Sequence, residues 1–69
     1  MHNISIILNG ISYSLQERTT LHDLLNNLGF NKGNIAIAIN NNIIPKAKYL
    51  EVWLQENDKV ELVTAFQGG

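Results

Sequence analysis

The chain contains no cysteine. That excludes a disulfide, a thiolate metal site and a cysteine nucleophile, and it fits a reducing compartment such as the cytoplasm. There is a single proline, Pro45, and no Pro-rich or low-complexity linker. Charge of neither sign dominates: five Lys and Arg stand against six Asp and Glu, for a net −1. The charges are interspersed and form no basic stripe, which argues against nucleic acid as a partner. No apolar run approaches the ~18 residues of a membrane span. The opening "MHNISIILNG" lacks the cationic segment and small-residue cleavage site of a secretory signal. These absences predict a soluble, cytoplasmic protein with no membrane and no nucleic-acid partner. With 69 residues there is room for one domain, and a chain of this size buries only about 60% of its unfolded surface, so its core is thin.

What is present is strongly patterned. Ile4, Ile6 and Leu8 alternate with polar or outward residues, and so do Ile11, Tyr13 and Leu15. Asn9-Gly10 separates the two runs, and Asn-Gly between alternating segments marks a two-residue hairpin turn with positive φ at both positions. Strands are expected over 3–8 and 11–15. In "TTLHDLLNNLGF", Leu21, Leu24, Leu25 and Leu28 fall on one helical stripe. Thr20 and Asp23 read as a capping box, and Gly29 suits the left-handed position past a helix end. Ile35, Ile37 and Ile39 alternate with Ala36 and Ala38, a strand with one bulky and one small face. Asn40-Asn41-Asn42 predicts a turn. Ile43-Ile44 makes a short strand stopped by Pro45 and so confined to an edge or end. Residues 46–55 read as irregular or a helical turn, and 56–59 as a turn. A last strand runs over 59–65, with Val60 and Leu62 inward and Glu61 and Val63 outward.

The order β-β-α-β-β-β with one covering helix is an α+β mixed sheet. In about seventy residues it resembles the β-grasp, or ubiquitin-like, fold. The division expected is a β-grasp domain over 1–65 and a flexible C-terminal diglycine tail over 66–69.

No residue set for catalysis emerges. His2 and His22 lie far apart with no carboxylate at ligand spacing, and His22 is on the helix face away from the leucines, a solvated position. Asp23 is explained as a cap and Asp58 as a turn residue. Ser12 and Ser14 occupy the polar face of a strand, and no Gly loop suited to phosphate is present. Trp53 reads as an aromatic packed in the core or at its edge, with a partner surface as the alternative. Val63 points away from the core. Phe66 either joins it and the small face of Ala36 and Ala38 in a flat apolar patch or folds back onto the core.

The sequence closes on "VTAFQGG". Glycine has no Cβ, so Gly68-Gly69 can pass through a channel that any side chain would block. From Phe66 onward the chain can extend about 13 Å, enough to put a terminal carboxylate inside a partner enzyme while the body docks outside. A carboxylate is a poor electrophile. ATP with Mg²⁺ can convert it to an acyl-adenylate, from which a sulfur or nitrogen nucleophile displaces AMP. The chain is then a carried substrate and not a catalyst.

Over essentially its whole length the sequence resembles the ThiS family, sulfur carrier proteins of thiamine biosynthesis. The matching pieces are the hairpin with "LNG", the "TTLHDLLNNLGF" helix, "IAIAINNNIIPKAKY" with Asn40 and Pro45, and "LQENDKVELVTAFQGG". One departure is Asn57, where the family usually has Gly before the acidic turn residue, here Asp58; Asn tolerates the same positive φ. The resemblance implies that Gly69 is adenylated by an E1-like adenylyltransferase of the ThiF type and converted to a thiocarboxylate with sulfur from a persulfide donor. A thiazole synthase of the ThiG type then receives the sulfur. Gly69 carries it, Gly68 and Gln67 give access, and Phe66, Val63 and Ala65 dock the partner. No cofactor is bound by the chain itself; the terminal adenylate and thiocarboxylate are modifications made with the partner's ATP and Mg²⁺. Other readings stay open: a small carrier subunit for molybdopterin or tRNA thiolation, a ubiquitin-like modifier, or a passive β-grasp binding module. The molybdopterin-synthase subunit is typically longer and often has prolines before its tail, whereas none follows Pro45 here.

Overall fold

In the computed structural model the described residues are 2–29 and 35–64. The hairpin forms as its turn chemistry predicts. Strands β1 (Asn3–Leu8) and β2 (Ile11–Gln16) pair antiparallel across Asn9 (φ 49) and Gly10 (φ 83). Helix α1 (Leu21–Leu28) starts at a complete capping box: the Asp23 N–H donates to Thr20 Oγ1 at 3.1 Å, and the Thr20 N–H donates to Asp23 Oδ2 at 3.5 Å. It ends at Gly29, φ 83, a conformation that costs glycine nothing. Strands β3 (Ile35–Ile39), β4 (Asn42–Ile43) and β5 (Lys59–Thr64) complete one five-stranded sheet in the order β2-β1-β5-β3-β4. The fold is the α+β β-grasp expected from the pattern.

Two boundaries differ. β2 runs one residue longer than predicted, to Gln16; β5 matches the expected strand over Lys59–Thr64, and Ala65 lies outside the described residues. The turn before β4 uses only Asn40 (φ 51) and Asn41 (φ 71), so Asn42 belongs to the strand. Two successive left-handed residues make the same kind of tight turn as Asn9-Gly10. β4 sits at the sheet edge, where Pro45 is tolerated.

One face of the sheet meets α1. Ile6, Leu21, Leu24, Ile37 and Val60 are fully buried, joined by Leu25, Ile39, Leu54, Leu62 and Tyr49. Each such aliphatic contributes about 1.5–3 kcal/mol on burial. A 3₁₀ turn at Lys46–Lys48 leads into a segment that closes the end of this core. There the Tyr49 and Val52 carbonyls accept from the His22 and Leu21 N–H groups at 3.1 and 2.9 Å, donors that a helix start leaves without an intrahelical partner.

The central contact is parallel: β1 pairs β5 at Ile7↔Lys59 and Leu8↔Val60. Beyond Leu8 the first strand turns away into the hairpin, and the Asn9 side chain takes over its place. Asn9 Oδ1 accepts from the Leu62 N–H at 2.8 Å, and Asn9 Nδ2 donates to the Leu62 carbonyl at 3.3 Å. We predict that Asn9→Ala, which strips both bonds and strains the positive φ, destabilises the fold by about 2 kcal/mol. Asn57→Gly, at φ 70, should stay within about 0.5 kcal/mol of the parent. Urea midpoints at constant slope measure both; an unchanged midpoint for Asn9→Ala would remove the side-chain clamp from this account.

Candidate functional site

β5 is held at both ends by polar side chains. At its start, Asn40 Oδ1 accepts from the Lys59 N–H at 3.0 Å, and Asn40 Nδ2 donates to Asp58 Oδ1 at 3.1 Å. The other Asp58 oxygen accepts from the Gln55 N–H at 2.9 Å. Asn57 lies in the left-handed region, as the substitution for glycine requires. Further along, Leu62 is clamped by Asn9. With Val60 and Leu62 buried, Glu61 and Val63 must face outward, and they do.

The register builds a site from this alternation. Ala36 stands opposite Val63 and Ala38 opposite Glu61; on its other side Ala38 faces Ile43. Alanine leaves the strand low between larger neighbours. The result is a shallow, mostly apolar concavity of about 220 Å³ lined by Ala36, Ala38, Ile43, Glu61 and Val63. Val63 is 63% exposed and Ile43 78% exposed. The patch expected around Ala36, Ala38 and Val63 therefore exists on the open side of the sheet. Ile43 and Glu61 are members the sequence reading missed. The signal for Ile43 was the two-residue Asn turn, whose register sets it directly opposite Ala38.

Thr64, the last described residue of β5, stands opposite Ile35. Ala65, Phe66, Gln67, Gly68 and Gly69 lie outside the described residues, so the docking roles of Ala65 and Phe66, the two placements of Phe66 and the expected flexibility of the tail are not addressed by the structure. The remaining candidates are dispersed. His22 stays on the helix surface, its Nε2 3.2 Å from Asn26 Nδ2, and His2 is exposed. Among the described residues no three His, Asp or Glu side chains gather as a metal site. No described helix is long and apolar enough to cross a membrane. Trp53 is not a core residue: its backbone bridges Thr20, but its side chain is 55% exposed. Among the neighbouring residues, Leu54 and Tyr49 belong to the core.

The sequence model of the ThiS family matches residues 6–69. The chain belongs to the ThiS family. As a ThiS-family chain it is a sulfur carrier, and carriers of this type are small non-catalytic proteins. An uncharacterized protein, ycf40, of Porphyra purpurea is 40% identical over 67 residues, spanning 97% of this chain and 94% of its own length. The thiazole synthase of Magnetococcus marinus is 36% identical over 66 residues, which is 96% of this chain but 20% of that protein. The thiazole synthase of Paramagnetospirillum magneticum is 30% identical over an equal share of its length. The crystal structure of a thiamine biosynthesis protein (ThiS) from Geobacter metallireducens superposes with a TM-score of 0.81 at 17% identity, covering 96% of this chain and 100% of the other. At that identity the likeness establishes the β-grasp fold.

Because the ThiS-family patch lies on the outer face, it should be separable from stability. Val63→Asp is expected to cost no more than about 1 kcal/mol, the span of strand preference. Leu62→Ala, one residue away but buried, should cost about 2–4 kcal/mol. Thermal unfolding of the two variants distinguishes the faces; equal losses would mean that Val63 supports the core.

Proposed function

We propose that this ThiS-family carrier delivers sulfur for formation of the thiazole moiety of thiamine. The observation that carries this reading is the match to a segment making up one fifth of each of two polypeptides named thiazole synthase. A carrier-like segment joined to a synthase acts at high effective concentration, which is useful only if the two work together. The present chain would serve a thiazole synthase of the ThiG type in the same role.

In this reading the chain is a protein co-substrate in the cytoplasm and catalyses nothing itself. Residues 1–65 form the docking body and 66–69 the working tail. The Gly69 carboxylate attacks the α-phosphorus of ATP in an E1-like adenylyltransferase of the ThiF type, releasing pyrophosphate. Magnesium on that enzyme offsets the phosphate charge. A persulfide's terminal sulfur then attacks the acyl carbon and AMP leaves. Cleavage of the resulting acyl disulfide by a thiol frees the thiocarboxylate. Gly68 and Gln67 thread the approach to both partners' sites, and Val63, Ala65 and Phe66 dock the body. Ala36, Ala38 and Ile43 extend that docking surface. The lack of cysteine fits, because an internal thiol would compete for the activated acyl group.

Intact mass after incubation with ATP, Mg²⁺, a ThiF-type enzyme and a sulfide source tests the proposal. The expected gain corresponds to replacement of one oxygen by sulfur, and it disappears when Gly69 is deleted, while the truncated domain unfolds at the same temperature. Thiazole formation at the normal rate with the truncated protein, or no mass change with an enzyme active on another carrier, would refute the reading. The second outcome would favour a protein modifier or a passive binding module.

A further inference from the structure

Among the described residues the outer flank of β2 pairs with no other strand. It is the sheet edge opposite β4, six residues long, and its sequence ISYSLQ has no charge, Pro or Gly. Edges of this kind usually carry a lysine, a proline or a bulge that blocks strand addition. Here the register with β1 is unbroken from Asn3↔Gln16 to Leu8↔Ile11. The Glu17 N–H donates to the His2 carbonyl at 3.0 Å, and in an antiparallel ladder alternate residues bond the same neighbour. Ile11, Tyr13 and Leu15 therefore spend their backbone groups on β1. Ser12, Ser14 and Gln16 turn theirs outward. The outward carbonyl of Gln16 is already taken by the Thr19 hydroxyl at 2.6 Å.

We propose that a second copy of this chain covers the edge, β2 against β2, antiparallel about a two-fold axis at Tyr13. In that register Ser12 stands opposite Ser14 of the second copy, and every outward N–H and carbonyl of both serines is paired. Tyr13 meets its own counterpart, and Ile11 meets Leu15 of the second copy. The last pairing covers a side chain that lies on the core face of the sheet yet is 71% exposed. A register centred on Ser14 fits less well, since it sets Ser12 against Gln16, whose carbonyl Thr19 holds. The strand carries no charge, so two copies meet without like-charge repulsion. One short strand per copy falls well below the roughly 20–30 residues a side of a standard interface, so the dimer is weak and concentration-dependent. β1 separates β2 from β5 in the sheet, so this contact leaves the Ala36–Val63 concavity uncovered.

Sedimentation velocity of the full chain, in a series rising to about 1 mM, tests this together with two variants. Ser12 and Ser14 are exposed, so S12K/S14K and S12E/S14E should keep the fold, which circular dichroism checks. The wild-type mass should climb toward two chains. Either variant alone should associate at least about tenfold more weakly, and mixing the two should restore a dimer, because each lysine then faces a glutamate. A wild type that stays at one chain throughout, a variant that associates as the wild type does, or a mixture without rescue would overturn the proposal.

Discussion

The pairing of the first strand with the last governs this structure. β5 lies between β1 and β3, so the sheet has no centre until the C-terminal segment is in place. The ladder that joins β1 to β5 is short, only Ile7↔Lys59 and Leu8↔Val60. A short ladder leaves backbone groups beyond its ends in need of other partners. Side chains complete it. The Glu56 carboxylate accepts from the Ser5 N–H at 3.1 Å at one end, and the Asn9 amide serves both groups of Leu62 at the other. An asparagine side chain carries the same donor and acceptor as a peptide unit, so Asn9 extends β1 sideways after the main chain has left.

The same device recurs across the sheet. Asn40, at positive φ, ends β3 and uses its amide to fix Lys59 and Asp58. Two Asn residues in left-handed turns thus clamp β5 from both neighbours. Each satisfies two demands with one residue, since Asn both tolerates the turn conformation and supplies the bonds. A domain this small has little hydrophobic surplus, so these bonds add to the burial of Val60 and Leu62 in holding β5.

The local signals proved sufficient for the elements: Asn9-Gly10 for the hairpin, Thr20 with Asp23 and Gly29 for the helix, the Ile–Ala alternation for β3, and Glu61 and Val63 for the outward face of β5. The contacts between distant residues were not legible. Nothing near Asn9 announces that its amide reaches Leu62, because that bond depends on β1 and β5 being parallel neighbours, a property of topology. For Trp53 the sequence left core, core edge and partner surface open; the structure excludes the core, since the side chain is 55% exposed although its backbone bridges Thr20. Ile11 has the parity of a core residue and remains exposed at the hairpin tip. Of the site, the patch members Ala36, Ala38 and Val63 could be read from alternation, whereas Ile43 required the register of a turn whose length was read one residue too long.

The composition of β3 separates what folding needs from what the surface does. Alanine is depleted in strands, and β-branched residues pack better on a pleated surface. Ile35, Ile37 and Ile39 satisfy that preference on the core side. Ala36 and Ala38 forgo it on the open side, where a threonine or valine would serve the sheet at least as well. Val63 and Ile43 likewise leave apolar surface in water, surface that burial in the core would turn into stability. Neither choice adds a residue to the core. Together they produce a low apolar floor between raised walls, with the single carboxylate of Glu61 on its rim. What the open face has is shape: a shallow apolar concavity on the outer side of β3 and β5, across the sheet from the Val60 and Leu62 that fill the core.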